Sequence, residues 1–187
     1  MIILASASPR RKELLAGLGL EFEVIPAKGP EHTPEHGDAA KTVMELSAAK
    51  ARELAQRYPE AIVIGADTVV EKDGDILGKP ADEAEAAAML KKLSGAAHRV
   101  FTGVTVARGE TILSRAEETA VHFRPLTEGE IAAYVASKEP MDKAGAYAIQ
   151  GLASLFIRGI EGDYFNVVGL PLCLLGQMLE EFGVAIL

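Results

Sequence analysis

Apolar positions along the chain recur at two different periods, and the switches between them mark out the elements. Residues 2–5 form a short apolar run of strand length, closed by the polar turn Ser6-Ala7-Ser8-Pro9. Ser8 suits an N-cap and Pro9 the first helical position, so a helix should run on to about residue 18, where Gly19 stops it. Residues 21–26 alternate as a strand does, and residues 27–38, rich in Pro, Gly and His, predict an exposed loop. A long helix is expected over 39–57, ended by Pro59. Residues 61–66 are almost continuously apolar, as in a strand buried on both faces. Asp73-Gly74, between Val69-Val70 and Ile76-Leu77, predicts a two-residue hairpin turn. A helix capped by Asp82 follows over 82–93, with Gly95 after its end. Residues 98–107 and 111–123 predict a second hairpin turning at Arg108-Gly109. Thr127 should cap a helix reaching about residue 137. Strands are expected over 155–160 and 164–168, and a last helix over 172–182.

Helices that alternate with strands, plus two hairpins, predict an α/β fold built on a mixed, twisted sheet with flanking helices. No repeat, low-complexity tract or linker interrupts the pattern, so residues 1–187 are expected to form one domain. Its 187 residues are enough to bury a substantial core, and 49% hydrophobic with 25% charged residues is ordinary for a soluble protein. The net charge of −8 argues against a nucleic-acid polymer as partner, which normally requires a basic face. No apolar run approaches the ~20 residues that span a bilayer. The apolar start at residues 1–5 is too short for a signal peptide and its arginines follow rather than precede it, so a cytoplasmic location is expected. Cys173, the single cysteine, lies in an apolar run and is expected to be a small buried hydrophobe.

Three places in the chain do not suit a purely structural reading. Arg10 and Arg11 stand in the first turn of a helix, where each opposes the positive end of the dipole by about 0.3–1 kcal/mol. They are either solvated cations or, with Ser6, Ser8 and the free N–H groups of that turn, a cradle for an anion. Lys50 continues the stripe Val43, Leu46, Lys50, Leu54, so its stem either snorkels or carries the ammonium into a cleft. Asp67 follows a nearly all-apolar strand and is expected near that strand's carboxyl end. There it is a turn aspartate, a ligand for Mg²⁺ or Mn²⁺, or an acceptor of a water proton. Thr68 beside it either contacts substrate or continues the strand.

Other chemistries are disfavoured. Leu77-Gly78-Lys79-Pro80 lacks the full string of a P-loop. The four histidines show no zinc-site spacing with the lone cysteine, and there is no G-x-S-x-G elbow.

In order and spacing, several strings resemble the Maf family, also called septum-formation-inhibitor-like proteins, nearly end to end. They are Ala5-Ser6-Ala7-Ser8-Pro9-Arg10-Arg11, Ile64-Gly65-Ala66-Asp67-Thr68, Gly78-Lys79-Pro80, Leu93-Ser94-Gly95 with His98, Lys143 to Gly151, and Val168-Gly169-Leu170-Pro171. The resemblance implies a fold related to the inosine triphosphate pyrophosphatases, with two lobes around a nucleotide cleft. It implies hydrolysis of dTTP and UTP to the monophosphate and pyrophosphate, with a divalent cation, Mg²⁺ or Mn²⁺. The 7-methyl-GTP branch of the family and a non-catalytic nucleotide-sensing regulator of cell division are the alternatives. By motif, Asp67 matches the proton acceptor, and Arg10, Thr68 and Gln150 match positions linked to substrate selection. Ser6, Arg11, Lys50 and Lys79 match phosphate-handling positions. Glu31, with Asp67, resembles the metal side, although the acidic pair common there is Pro30-Glu31 in this chain. Ala148 stands where many relatives have glycine. The expected partner is a small nucleoside triphosphate, with no membrane, and a homodimer is compatible with the resemblance.

Overall fold

The computed structural model describes residues 1–29 and 33–187. Its sheet has the order β2-β1-β3-β5-β6-β7, where β1 is Ile2–Leu4, β2 Glu23–Val24, β3 Ile62–Lys72, β5 Ala97–Arg108, β6 Thr111–Phe123 and β7 Ile157–Glu161. A further strand, β4 (Asp75–Leu77), pairs only with β3. β1 runs parallel to β2 and β3, and the remaining pairs are antiparallel, which makes the sheet mixed. The helices are α1 (Pro9–Ala16), α2 (Ala39–Arg57), α3 (Glu83–Leu93), α4 (Glu128–Ala136), α5 (Tyr164–Val168) and α6 (Leu172–Glu181).

Strand β3 organises the packing through its two-residue period. Ile62, Ile64 and Ala66 join Leu15 of α1 and Leu175, Met178 and Leu179 of α6. Val63 points to the other face, with Ala51, Leu54 and Ala55 of α2, and Val69 meets Val43 of the same helix. Beyond Thr68, Val70 enters a separate cluster with Leu90 and Leu93 of α3 and Ile131 and Tyr134 of α4. On that face, then, two apolar clusters are separated by the polar Thr68. They are the cores of two lobes.

The depth of α2 on the sheet is set by two glycines. A Cβ on Gly65 would lie 2.4 Å from the Ser47 carbonyl oxygen, and one on Gly103 only 2.1 Å from that of Val43. The helix backbone occupies the space that side chains would take. Between these contacts Ser47 donates to the Met44 carbonyl, and its hydroxyl meets that of Thr105 at 2.8 Å.

Several boundaries follow local chemistry. Asp73 and Gly74 both take positive φ, as the two-residue hairpin turn demands. Thr127 and Glu130 form a reciprocal capping box at α4. Residues 164–168, expected as a strand, are instead the short helix α5. The Asp163 carboxylate accepts from the N–H groups of Phe165 and Asn166, and the Asn166 side chain donates to the Val100 carbonyl and the Thr119 hydroxyl. Capping and a buried amide override the apolar pattern there. Cys173 is exposed rather than buried, because it lies in α6, whose buried residues are Leu175, Met178 and Leu179, and not on that side of the helix. Among the described residues no helix is long and apolar enough to cross a membrane.

Candidate active site

The sheet has a notch on one side of β3. β1 pairs with Ile62, Val63 and Ile64, and β4 pairs with Val70, Glu71 and Lys72, so residues 66–69 have a strand partner on the β5 side alone. Asp67 is therefore in the middle of an eleven-residue strand, not at its carboxyl end as expected. What ends there is its neighbour β1. The cleft between the lobes opens at this notch, with a volume of about 790 Å³.

All the described candidate residues line that cleft: Ser6, Arg10, Arg11, Lys50, Asp67, Thr68, Lys79 and Gln150. Glu31, the candidate on the metal side, lies outside the described residues. The residues arrive from distant parts of the chain. Ser6 to Arg11 come from the β1–α1 turn, Lys50 from α2, Lys79 from the exit of β4 and Gln150 from the loop before β7. The Gly145 N–H donates to the Gly78 carbonyl at 3.0 Å, tying the last two segments together.

Lys50 donates to Asp67 Oδ1 at 2.6 Å, with both side chains largely shielded. The core stripe of α2 is rotated from the expected one: Val43, Ser47, Ala51 and Leu54 are buried and Leu46 only partly, which leaves Lys50 on the margin that faces the cleft. No hydrogen bond among the described residues reaches Asp67 Oδ2. Lys50→Met should separate the roles. It leaves a shielded carboxylate without its cation, so stability is expected to fall by about 1–3 kcal/mol. The value of kcat/KM should fall by about 10²-fold if the ammonium also steadies developing charge. Thermal melts beside steady-state kinetics check this, and unchanged kinetics would return Lys50 to a packing role.

Arg11 is held by this chain's own atoms. Its Nε donates to the Gly169 carbonyl (2.7 Å), Nη1 to the Ala66 carbonyl (2.9 Å) and to Ser6 Oγ (3.4 Å), and Nη2 to Thr68 Oγ1 (3.0 Å). Ser8 caps α1 by accepting from the Arg11 N–H, and Pro9 takes the first position, as expected. Ser6 Oγ also accepts from the Ser8 N–H at 3.2 Å. With two incoming donors on its lone pairs, what Ser6 has left to offer is its proton. Arg10 reaches across the cleft to Asp142, at 3.9 Å. Burial works to raise the Asp142 carboxyl, but the hydrogen bond and charge of Lys143, with the charge of Arg10, hold it below its ordinary value.

Some of the site carries no sequence signal. Thr102 reads as an ordinary strand residue, and Tyr147 carries no signal beyond its place in the Lys143-to-Gly151 string. Tyr147 is buried in the loop that carries Gln150, and its hydroxyl meets His98 Nε2 at 2.6 Å. Burial pushes the His98 imidazole down to about 3, so it is neutral. For Lys143 the one hint is its place at the start of the Lys143-to-Gly151 string, and Asp142 lies one residue before it. Among the described residues no three His, Cys, Asp or Glu side chains stand close enough to cage a metal. Asp67 Oδ2 at the notch suits instead a hard cation shared with substrate phosphates, the usual mode for Mg²⁺.

A family model described as Maf-like protein matches residues 1–182. A dTTP/UTP pyrophosphatase of Symbiobacterium thermophilum is 53% identical over 185 residues, covering 99% of this chain and 95% of that protein. One of Bacillus cereus is 49% identical over 183 residues, covering 98% and 96%. Among solved structures, a HAM1 protein from Coxiella burnetii aligns with a TM-score of 0.53 at 16% identity, covering 96% of this chain and 98% of that one. The Staphylococcus aureus Ham1 protein gives the same TM-score at 15% identity. At such identities these two speak for the fold alone.

Proposed function

The chain belongs to the Maf family, and from that premise we propose that it hydrolyses dTTP and UTP to the monophosphate and pyrophosphate in the cytoplasm, with Mg²⁺ or Mn²⁺. The observation that carries this reading is the notch, where a Lys50-paired carboxylate, the Ser6 hydroxyl and the Arg11 guanidinium meet in one cleft. A triphosphate repels a nucleophile through its own charge. Arg11, Lys50 and Lys79 supply positive charge toward it, and Ser6 supplies a proton donor. Asp67, through Oδ2, accepts the proton of a water directed at the α-phosphorus. A divalent cation held by Asp67 and the phosphates would neutralise charge on the leaving pyrophosphate.

The test is product analysis across natural and modified triphosphates, with and without each metal, in oxygen-18 water. The expected label is on the monophosphate. Label in pyrophosphate, or a diphosphate product, would overturn the reading. Preference for 7-methyl-GTP would move the chain to the other branch, and absence of any product would leave a binding protein.

Gln150 is proposed to read the base edge, donating to O4 and accepting from N3–H. It is exposed at the cleft rim, so the large penalty of a dry amide does not apply. Gln150→Glu removes the donor, and with water competing the loss for UTP and dTTP should be about tenfold in kcat/KM, roughly 1.4 kcal/mol. CTP, whose amino group donates to the new carboxylate, should lose less. Equal losses for the three would make Gln150 a support for its loop.

A further inference from the structure

Thr102 is completely buried in β5 and does not line the cleft, yet it is two hydrogen bonds from Arg11. The Asn166 carbonyl can only accept, so the Thr102 hydroxyl donates to it, at 2.9 Å. A threonine has one hydroxyl proton. At its 2.8 Å contact with Thr68, Thr102 must therefore accept, and Thr68 must donate. Toward Arg11 Nη2 Thr68 then accepts, in keeping with a guanidinium that only donates. Every proton in the chain from Arg11 through Thr68 and Thr102 to Asn166 has one allowed direction. The chain also closes on itself, because Arg11 Nε donates to the Gly169 carbonyl just past α5, whose Asn166 ends the other branch.

We propose that Thr102 is a positioning residue for catalysis, which with Thr68 sets the plane and place of the Arg11 guanidinium through two branches of hydrogen bonds that run outward from Arg11 and are joined by the backbone at the end of α5. Thr68 has already given its proton to Thr102. Its hydroxyl has no proton left for a nucleotide, and the side chain's influence on substrate runs through Arg11 or through acceptance alone. The branches join α1, β3, β5 and α5, so the phosphate-facing cation is placed by the sheet rather than by its own helix.

The inference rests on the proposed hydrolysis of UTP, which the wild-type chain tests by itself: no hydrolysis by wild type ends that reading, whereas active wild type with unaffected variants ends only this inference. Thr102→Val keeps shape and removes both hydrogen bonds, and Thr102→Ser keeps the hydroxyl. With melting curves to choose a temperature at which all variants are folded, Thr102→Val should lower kcat/KM for UTP by about tenfold or more. Thr102→Ser should stay within about twofold of wild type. In an Arg11→Lys background, Thr102→Val should add little further loss, because the group that it positions is gone. Should Thr102→Val not fold, Thr68→Val in the same two backgrounds makes the same comparison. A Thr102→Val enzyme with lowered melting temperature but unchanged kinetics would overturn the proposal. So would Thr102→Ser being as impaired as Thr102→Val, or losses that add fully to those of Arg11→Lys.

Discussion

Asp67→Asn should reduce UTP turnover by about 10²–10⁴-fold, the range over which a positioned general base contributes. The substitution preserves size and keeps an oxygen to accept from Lys50, which now donates at 2.6 Å. It removes the second anionic oxygen at the notch, and with it the proposed proton acceptor and the charge proposed to hold the metal. The melting temperature should move little and nucleotide binding should persist, measured by calorimetry with a non-hydrolysable triphosphate. More than a few per cent of wild-type turnover at saturating metal would remove Asp67 from the mechanism.

Gly103→Ala is expected to have the largest effect on stability. Its Cβ would meet the Val43 carbonyl oxygen at 2.1 Å and its carbon at 2.3 Å, and these are backbone atoms that no rotamer change relieves. Helix α2 must lift from the sheet, at a cost at or above the upper end of the ~1–3 kcal/mol usual for overpacking. Gly103 pairs with Asp67 across β3 and β5, and α2 carries Lys50. Lifting the helix would therefore lengthen the Lys50–Asp67 contact, so activity should fall even where the protein remains folded. Chemical denaturation and kcat/KM at low temperature check both parts. A stability within about 1 kcal/mol of wild type would show that the helix yields more easily than close packing implies.

Legibility in the sequence tracks how local the physics is. The caps at Ser8, Asp82 and Thr127 and the Asp73-Gly74 turn can be named from the sequence, because each depends on residues within a few positions. The strand character of residues 61–66 is legible because the apolar run is itself local. The length of β3 is not: residues 67–72 extend the strand past the apolar run only because β5 and β4 pair with them. Residues 164–168 mislead because apolar pattern alone does not separate a short strand from a short helix, and the Asn166 amide finds its partners about 50 or more residues away. Cys173 misleads likewise, since an apolar run says nothing about which side of a helix faces the core.

For the candidate site, the sequence by itself picked out Ser6, Arg10, Arg11, Lys50, Asp67, Thr68, Lys79 and Gln150 by motif or misplaced charge, and all line one cleft, while Glu31, picked out with them, lies outside the described residues. Only the tertiary structure decided what they do to one another. It turned Lys50 from a stripe residue into the partner of Asp67, and it engaged Arg11 with acceptors from distant segments. It also brought in Thr102, which no pattern singles out. A motif records which side chains are present, because their chemistry is intrinsic to them. The direction of a hydrogen bond depends on which acceptor stands opposite, and that is settled when β3, β5 and α5 pack together.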